Sequence, residues 1–554
     1  MMEPVRVVLG AGMSLADAVR RLAAHESSMA PVAALGHTVG ILSRSSAEHA
    51  SKMGAGEMTV GELICGGAPR VARLAGPALM KKRSLGVAPG LIVSGPGGLM
   101  MGTISRHRVA QAFGAAGHKG RNLNARIRAL MGEPRALLLR RAGALAGRRG
   151  VGLHLAGGVV RDLLMGTAPR DLDLVVEGDG IGFATQLARQ LGGALTRHER
   201  FGTAVIRLAS VAGDPATGLR IDVATARREI YEHPAALPAV EPGSIFDDIH
   251  RRDVTINSMT IRLDGRRFGI LVDEIGGQRD LRRRALRVHH KMSLVDDPTR
   301  AFRIARFAAR FGFTQTDDTR DSLTLARELG AFERLGGERL LRELLLIASE
   351  PEPGQVWRHC AANGLLSVVS PALRWDADAR RLMGRFFLGI RHGRLEAISG
   401  LVDPALVMLM LLARGASRGH RKALAARLKM TGRPAARLDA FAEELLALTG
   451  KLSHQPAAGR VARLCEQADP EVLALAWTGG GPSAKAIDWY LRELRLVRPT
   501  ITGEALREMG LSAGPGFALV LARLKAAILD GRVQSATEER EMALRLVRGR
   551  RRNR

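Results

Sequence analysis

The chain has 554 residues, 46% hydrophobic and 25% charged, proportions of folded domains that exclude wholesale disorder. Its 83 Lys and Arg against 54 Asp and Glu give a net charge of +29, which points to a polyanionic partner, with a merely solubilising arginine surface as the alternative. Three scattered cysteines, Cys65, Cys360 and Cys465, exclude a disulfide framework and fit a reducing cytoplasm. The longest apolar run, 405–413, is too short for a bilayer, and the N-terminus lacks an apolar leader core. Aromatic residues are only 4%, so any nucleic acid is expected to be held by its backbone and end rather than by stacking.

Residues 1–115 contain an internal repeat. Gly40-Ile41-Leu42-Ser43-Arg44 recurs as Gly102-Thr103-Ile104-Ser105-Arg106, and Ala30-Pro31 ahead of it recurs as Ala88-Pro89, which predicts a longer hairpin in the second copy. Each copy reads as helix, strand, glycine turn, strand ending in Ser-Arg, and helix. The pattern resembles a pair of CBS repeats, which implies an α/β module that can hold an adenosyl ligand and join two chains. In that family a ribose-binding aspartate often stands two residues past Ser-Arg. Here those positions are Ser46 and Arg108, which favours a structural or docking role.

Residues 116–150 are Arg-rich and read as a basic linker, with a lead-in helix from Pro134. Residues 151–284 alternate strands with helices, whereas 285–355 and 356–554 show helical periodicity. Six arginines among 545–554 read as a solvated tail.

The chemistry concentrates in 151–313. A strand over 151–155 runs into Gly157-Gly158 and a short helix carrying Arg161 and Asp162, a turn where bare backbone N–H groups can receive a phosphate. The next strand carries Asp171 and Asp173, whose i, i+2 spacing puts both carboxylates on one face to share hard cations. A third acid, Asp222, stands in LRIDVATA, a strand able to lie beside the first.

GGVVRD, RDLDLVVEGD, IDVATARREIY, RRDVTINSM and DDPTRAFRIARFAARFGF follow in that order, and ITGEALREMGLSAGPGFALVLARLKAAILDG stands near the end. Together they resemble the tRNA nucleotidyltransferase/poly(A) polymerase family, the bacterial-type class II branch of the polymerase-beta nucleotidyltransferase superfamily. The resemblance implies an α+β multidomain fold: the CBS-like α/β pair, a polymerase-beta-like nucleotidyltransferase head with a mixed sheet, and an all-α neck, body and tail. It implies that Asp171 and Asp173 hold two Mg²⁺ ions, with Asp222 as the third catalytic acid. Gly157, Gly158 and Arg161 match triphosphate-binding positions, and Arg252, Asp253 and Asn257 match the segment that contacts the sugar. Asp297 and Arg300 match a protein template for the incoming base. An acceptor beside a donor suits adenine or cytosine, not guanine or uracil, so ATP and possibly CTP are the expected substrates. Asp296 stands where many relatives have Glu, which leaves that acid's role open. Arg303 and Arg306 continue the helix as a basic stripe, with Arg303 the better candidate for phosphate contact.

Plainer readings stand beside these. Arg161 can pair with Asp162, Asn257 can stabilise its own turn, and Arg227 with Glu229 reads first as an internal ion pair. Leu340, Leu341, Leu344 and Leu345 read as core, and His289-His290 as structural. The implied activity is transfer of AMP, possibly also CMP, to the 3′ end of tRNA, with A-addition ahead of full CCA addition. Relatives with CBS pairs often carry a phosphoesterase-type domain upstream, for which this chain has no room. A poly(A) polymerase and a non-catalytic RNA-binding relative are the alternatives. The expected partners are the tRNA 3′ end, a second copy through the CBS-like pair, and a separate CC-adding enzyme, in the cytoplasm and with no membrane.

Overall fold

Gly40 and Gly102, the first residues of the two repeated pentapeptides, hold the same place in two small sheets. The computed structural model describes residues 2–64, 70–72, 89–96, 99–105, 108–109, 121–169, 171–209, 218–454, 456–512 and 514–552. Near the N-terminus these include β1 (Glu3–Pro4), β2 (Leu9–Gly10), β3 (Met29–Ala34), β4 (His37–Ser43), β5 (Arg70–Ala72), β6 (Gly90–Ser94) and β7 (Met100–Ser105). One sheet has the order β2-β3-β4 and the other β1-β7-β6-β5. In each, a short strand runs parallel to the first strand of an antiparallel hairpin. Gly40 faces Val32 and Gly102 faces Val93, and in both hairpins the register shifts directly after that pair.

The Ala-Pro match does not share this register. Pro31 lies inside β3 opposite Ile41, whereas Pro89 precedes β6 and Ala88 lies outside the described residues. Met29 pairs with Ser43, 14 residues on, and Gly90 with Ser105, 15 residues on, so the second hairpin is longer by one residue. The glycine at the bulge fixes the alignment because its lack of a side chain is used there: a Cβ on Gly40 would lie 2.5 Å from Ile64 Cδ1. A small dipeptide entering a strand carries no such constraint.

Three helices belong to the first copy: α1 (Leu15–Ala24), α2 (Arg44–Ala50) and α3 (Val60–Leu63). Ser14, Ser43 and Thr59 cap them by accepting from the Asp17, Ser46 and Glu62 amides. Ser46 is thereby engaged with Ser43, and Arg108 pairs with Glu3 at 3.0 Å.

Among the described residues of the linker expected before Pro134, most are helical. α4 (Asn124–Arg149) starts ten residues earlier, breaks at Gly132 (φ 80°, ψ 160°), and resumes with Pro134 at the start of its second part. Leu123, Ile127 and Met131 join the same buried cluster as the central strands, so the head's core begins well before residue 151. The arginines that suggested a linker occupy the outer face.

The head is built on β8 (Gly152–Ala156), β9 (Leu172–Glu177), β10 (Ala194–His198), β11 (Thr203–Leu208), β12 (Leu219–Thr225), β15 (Thr260–Arg262) and β16 (Leu271–Val272); β13 (Arg227–Ile230) and β14 (Ala239–Pro242) form a separate hairpin. The seven-stranded order is β10-β11-β12-β9-β8-β15-β16, mixed because β12 and β9 are parallel and the other pairs antiparallel. Alternate residues of β9, Leu172, Leu174 and Val176, face the core with α4 and α6 (Gly180–Leu191), which leaves Asp173 on the opposite face. The GG turn leads into α5 (Gly158–Met165).

The chain divides into two compact units, Met1–Gly336 and Gly337–Arg554, so the expected neck of 285–355 straddles the division. Among the described residues of the second unit every regular element is helical. The helix Pro404–Leu412 is buried from Ala405 onward, which accounts for the longest apolar run. Leu340 and Leu344 are buried as expected, Leu341 is half-buried, and Leu345 is exposed on the outer face of its helix. Among the described residues of the stretch read as a solvated tail, the chain is helical to Arg552 as part of Ala536–Arg552, and Val547 packs with Leu506, Val520 and Leu524. Cys360 and Cys465 are buried and free. No helix among the described residues is long and apolar enough to cross a membrane.

Candidate active site

Asp222 on β12 stands directly opposite Asp173 on β9, across the one parallel pairing of the head sheet. Asp171 lies just ahead of β9 and is exposed. Burial pushes the Asp173 carboxyl up to about 6, and the charges of Asp222 and Asp171 add to that effect against the pull of Arg252 and Arg220. Arg220, two residues before Asp222 and on the same strand face, donates to both Asp222 oxygens at 2.8 and 2.7 Å.

Beside this cluster the chain leaves β8 through Gly157 at φ 76°. A Cβ there would lie 2.9 Å from Arg252 Nη1 and 3.4 Å from Asp173 Oδ2, so glycine gives both side chains their room. A cleft of about 340 Å³ opens at this turn, lined by Gly157, Gly158, Asp173, Glu229, Arg251, Arg252, Asp253, Asn257, Asp297, Arg300 and Arg303. Of the expected site residues, Asp171, Asp222, Arg161 and Arg306 are not in that lining.

Arg161 acts one step behind the cleft. Its Nε and Nη2 donate to Asp162, and its Nη1 donates to Asn257 Oδ1 at 2.7 Å, with Phe311 stacked beneath at 4.5 Å. Asn257 Nδ2 in turn donates to Asp253 Oδ1 at 3.0 Å, so both plainer readings, the Asp162 pair and the turn, hold together with a longer chain. Asp253 Oδ1 also accepts from the Val254 amide, and its Oδ2 accepts from Arg303 Nε and Nη2 at 2.9 and 2.8 Å. Burial alone would raise Asp253, but Arg303 and these hydrogen bonds outweigh it and hold the carboxyl below its ordinary value. Four donors meet the carboxylate's four acceptor positions, so a sugar hydroxyl reaches Asp253 only by displacing one of them.

The far wall is the DDPTR segment, from α8 (Ser293–Asp296) into α9 (Thr299–Phe311). Asp297 Oδ1 accepts from the Thr299 amide and hydroxyl at 3.0 and 2.5 Å. The buried Arg300 donates to Ser293 Oγ (2.8 Å), the Arg251 carbonyl (2.8 Å) and Tyr231 Oη (3.3 Å). The base-reading candidates are therefore fixed before any ligand arrives. Arg303 reaches the cleft and Arg306 does not.

Several residues that shape the site were not singled out from sequence. Asp248, on α7 (Ile245–His250), holds Arg251 and Arg252 at 2.6 and 2.8 Å, a pairing that its i+3 and i+4 spacing could have signalled. Arg220 is likewise readable as the same-face neighbour of Asp222. Arg227 pairs with Glu229 at 3.0 Å as expected, and Arg251 and Tyr231 join them there. His289 is buried and bonded to Ser258, a structural place.

Among the described residues no group of three or more His, Cys, Asp and Glu is placed so that it could hold a metal ion by itself. Asp171 and Asp173 nevertheless fit Mg²⁺, which is commonly held by one or two carboxylates together with substrate phosphates, and the raised Asp173 marks negative charge that a cation would relieve. In the second unit, the lining of a cavity of about 960 Å³ includes Arg385, Arg394, Lys485, Arg492 and Trp477 together with Asp488, which pairs with Arg394 at 3.9 Å and Arg492 at 3.1 Å; Arg385 lies over the Trp477 ring at 5.7 Å.

Residues 153–287 match the poly A polymerase head domain family. The chain is 33% identical to an A-adding tRNA nucleotidyltransferase of Geobacter sulfurreducens over 75% of its own length and 47% of that protein's, so it spans about half of that relative. It is 30% identical to an A-adding tRNA nucleotidyltransferase of Halalkalibacterium halodurans, over 73% of this chain and 91% of the relative. Among solved structures, the Thermotoga maritima CCA-adding enzyme complexed with tRNA superposes with a TM-score of 0.62 at 30% identity, covering 77% of this chain and 98% of that one. These likenesses bear out the resemblance read from the motifs.

Proposed function

The chain belongs to the tRNA nucleotidyltransferase/poly(A) polymerase family, and on that premise we propose that it transfers AMP from ATP to the 3′ end of tRNA. The hydroxyl oxygen of the terminal ribose attacks the α-phosphorus, the bond to the bridging oxygen breaks, and pyrophosphate leaves. The observation that carries this reading is the registered pair Asp173 and Asp222 beside a cleft whose opposite wall is Asp297 and Arg300. Mg²⁺ held by Asp171 and Asp173 would neutralise the triphosphate and make the hydroxyl more acidic. Asp222, fixed by Arg220, accepts the hydroxyl's proton or orients it.

Gly157 and Gly158 give the triphosphate access to backbone, with Arg252 and Arg303 as its cations. Arg161 orders this wall through Asn257 and Asp253. The ribose competes with Arg303 for Asp253, so nucleotide entry frees Arg303 toward phosphate. Asp297 and Arg300 receive the amino donor and ring-nitrogen acceptor of adenine.

The A-adding reading draws on the two relatives and implies a separate enzyme that supplies tRNA already ending in CC. Full CCA addition is the second reading, favoured by the likeness to the Thermotoga maritima enzyme. The N-terminal repeat pair serves docking rather than nucleotide sensing, since Ser46 and Arg108 are committed to Ser43 and Glu3.

Joint substitution of Asp171 and Asp173 by alanine tests the reading. Addition should vanish while tRNA affinity stays within about twofold of the parent. A protein whose only measurable property is RNA binding, unchanged by the substitutions, would overturn it.

A further inference from the structure

Asp296, the first acid of DDPTR, lines a second cavity of about 340 Å³ rather than the nucleotide cleft. Its Oδ1 lies 2.7 Å from His49 Nε2, on α2 of the N-terminal repeat pair. Nearby, Lys291 Nζ donates to the Glu62 carbonyl oxygen of α3 at 2.7 Å. Both of these hydrogen bonds from the described residues of the N-terminal module land on residues 291–296, on α8 and its approach.

That short stretch also sets the base-reading pair. Ser293, on α8, holds Arg300 through its hydroxyl and its carbonyl, and Asp297 follows Asp296 directly in the chain. Arg300, Arg251 and Glu229 line both cavities, so one wall has the nucleotide cleft on one side and the module's seam on the other. A carboxylate one methylene shorter than glutamate is enough to meet His49, which gives the first acid of the segment a partner outside the cleft.

We propose that His49 is a positioning residue for nucleotide selection: through Asp296 it fixes α8, and so the geometry with which Asp297 and Arg300 meet the base. The inference rests on the nucleotide-adding reading above for what the cleft binds. Hydrogen-bond recognition of a base edge tolerates little displacement, so loosening α8 weakens binding of the correct nucleotide more than it slows the chemical step. A tether that only joins two packed parts would lower stability and leave nucleotide affinity alone.

The test compares the full chain with its His49→Ala, His49→Gln and Asp296→Asn variants, and with the His49→Ala/Asp296→Asn double variant. Equilibrium binding of ATP and of CTP and steady-state addition are measured for each. His49→Ala should raise both Kd and KM for ATP about tenfold, with kcat within about twofold and the preference for ATP over CTP reduced. His49→Gln, which keeps a donor at that place, should recover most of the loss, and the double variant should be no worse than the single ones. A folded His49→Ala protein with a lower melting temperature but unchanged ATP affinity and ATP preference would overturn the proposal. Should that variant fail to fold, Asp296→Asn carries the same comparison. A wild-type protein that adds no nucleotide, yet whose ATP affinity falls on His49→Ala, would sink the activity and leave the coupling standing.

Discussion

Asp222 faces Asp173 across the parallel β9–β12 ladder, so two like-charged carboxylates meet at one place on the sheet. Burial and this like charge raise Asp173 to about 6, so the group favours the folded state only while it is protonated. Its contribution is fully present below the ordinary carboxylate value and is lost as pH rises through about 6. Asp173→Asn should therefore melt higher than the parent at pH ~7.5 without divalent cations, by on the order of 2 kcal/mol, with the gap closing toward pH ~4. The same variant should lose roughly 10³-fold in addition. Thermal melts across pH, with and without Mg²⁺, check the first part; equal melting temperatures at pH ~7.5 would contradict it.

Arg220 pulls the Asp173 carboxyl down and occupies both oxygens of Asp222. In Arg220→Ala the acid limb of the pH profile for kcat/KM should move to higher pH, because one of the two cations that favour the ionised cluster is gone. A profile that keeps its shape and only scales down would assign Arg220 to substrate binding instead.

The pairing of Asp173 with Asp222 was legible in the sequence because strand periodicity is short-range. Placing Asp173 beside Asp222 needed only strand alternation and the adjacency of two strands, which the ladder supplies in register; Asp171, read as part of the same strand, lies just ahead of β9. The mixed sheet was implied by the family resemblance and not by alternation, whereas the helical character of the second unit followed from helical spacing in the same way. The start of the head did not, since arginines on the outer face of α4 hid the buried Leu123, Ile127 and Met131. The saturation of Asp253 was hidden as well, because its donors come from residues 254, 257 and 303. No local pattern could have joined His49 to Asp296 across 247 positions.

Arg394 and Lys485 line the cavity in the second unit and are suited to phosphate. Charge removal at each, by Arg394→Gln or Lys485→Gln, should weaken tRNA binding several-fold. It should also reduce the slope of log K against log salt by about one per contact. The KM for ATP should not move. Affinity titrations at several salt concentrations give the answer, and an unchanged slope would mean that the cavity contacts no phosphate.

Burial pushes the His49 imidazole down, but its hydrogen bond to Asp296 and that residue's charge outweigh burial and raise it above the ordinary value, while Lys52 opposes them. His290, Lys291, Arg228 and Arg300 also face the shared cavity. The charged pair thus stabilises the fold fully below the ordinary histidine value and is lost as pH rises through the raised one. The melting-temperature difference between the parent and His49→Gln should be largest near pH ~6 and shrink toward pH ~9. A difference independent of pH would mean that the pair is held as a neutral hydrogen bond.

Single-nucleotide addition on three tRNA transcripts, ending before CCA, after C and after CC, with labelled ATP or CTP supplied separately and Mg²⁺ present, distinguishes A-addition from its alternatives. Label is expected to enter the CC-ended transcript alone, from ATP alone. Growth of all three to a complete CCA end would replace A-addition with full CCA synthesis, and no growth of any transcript would contradict the enzymatic reading itself.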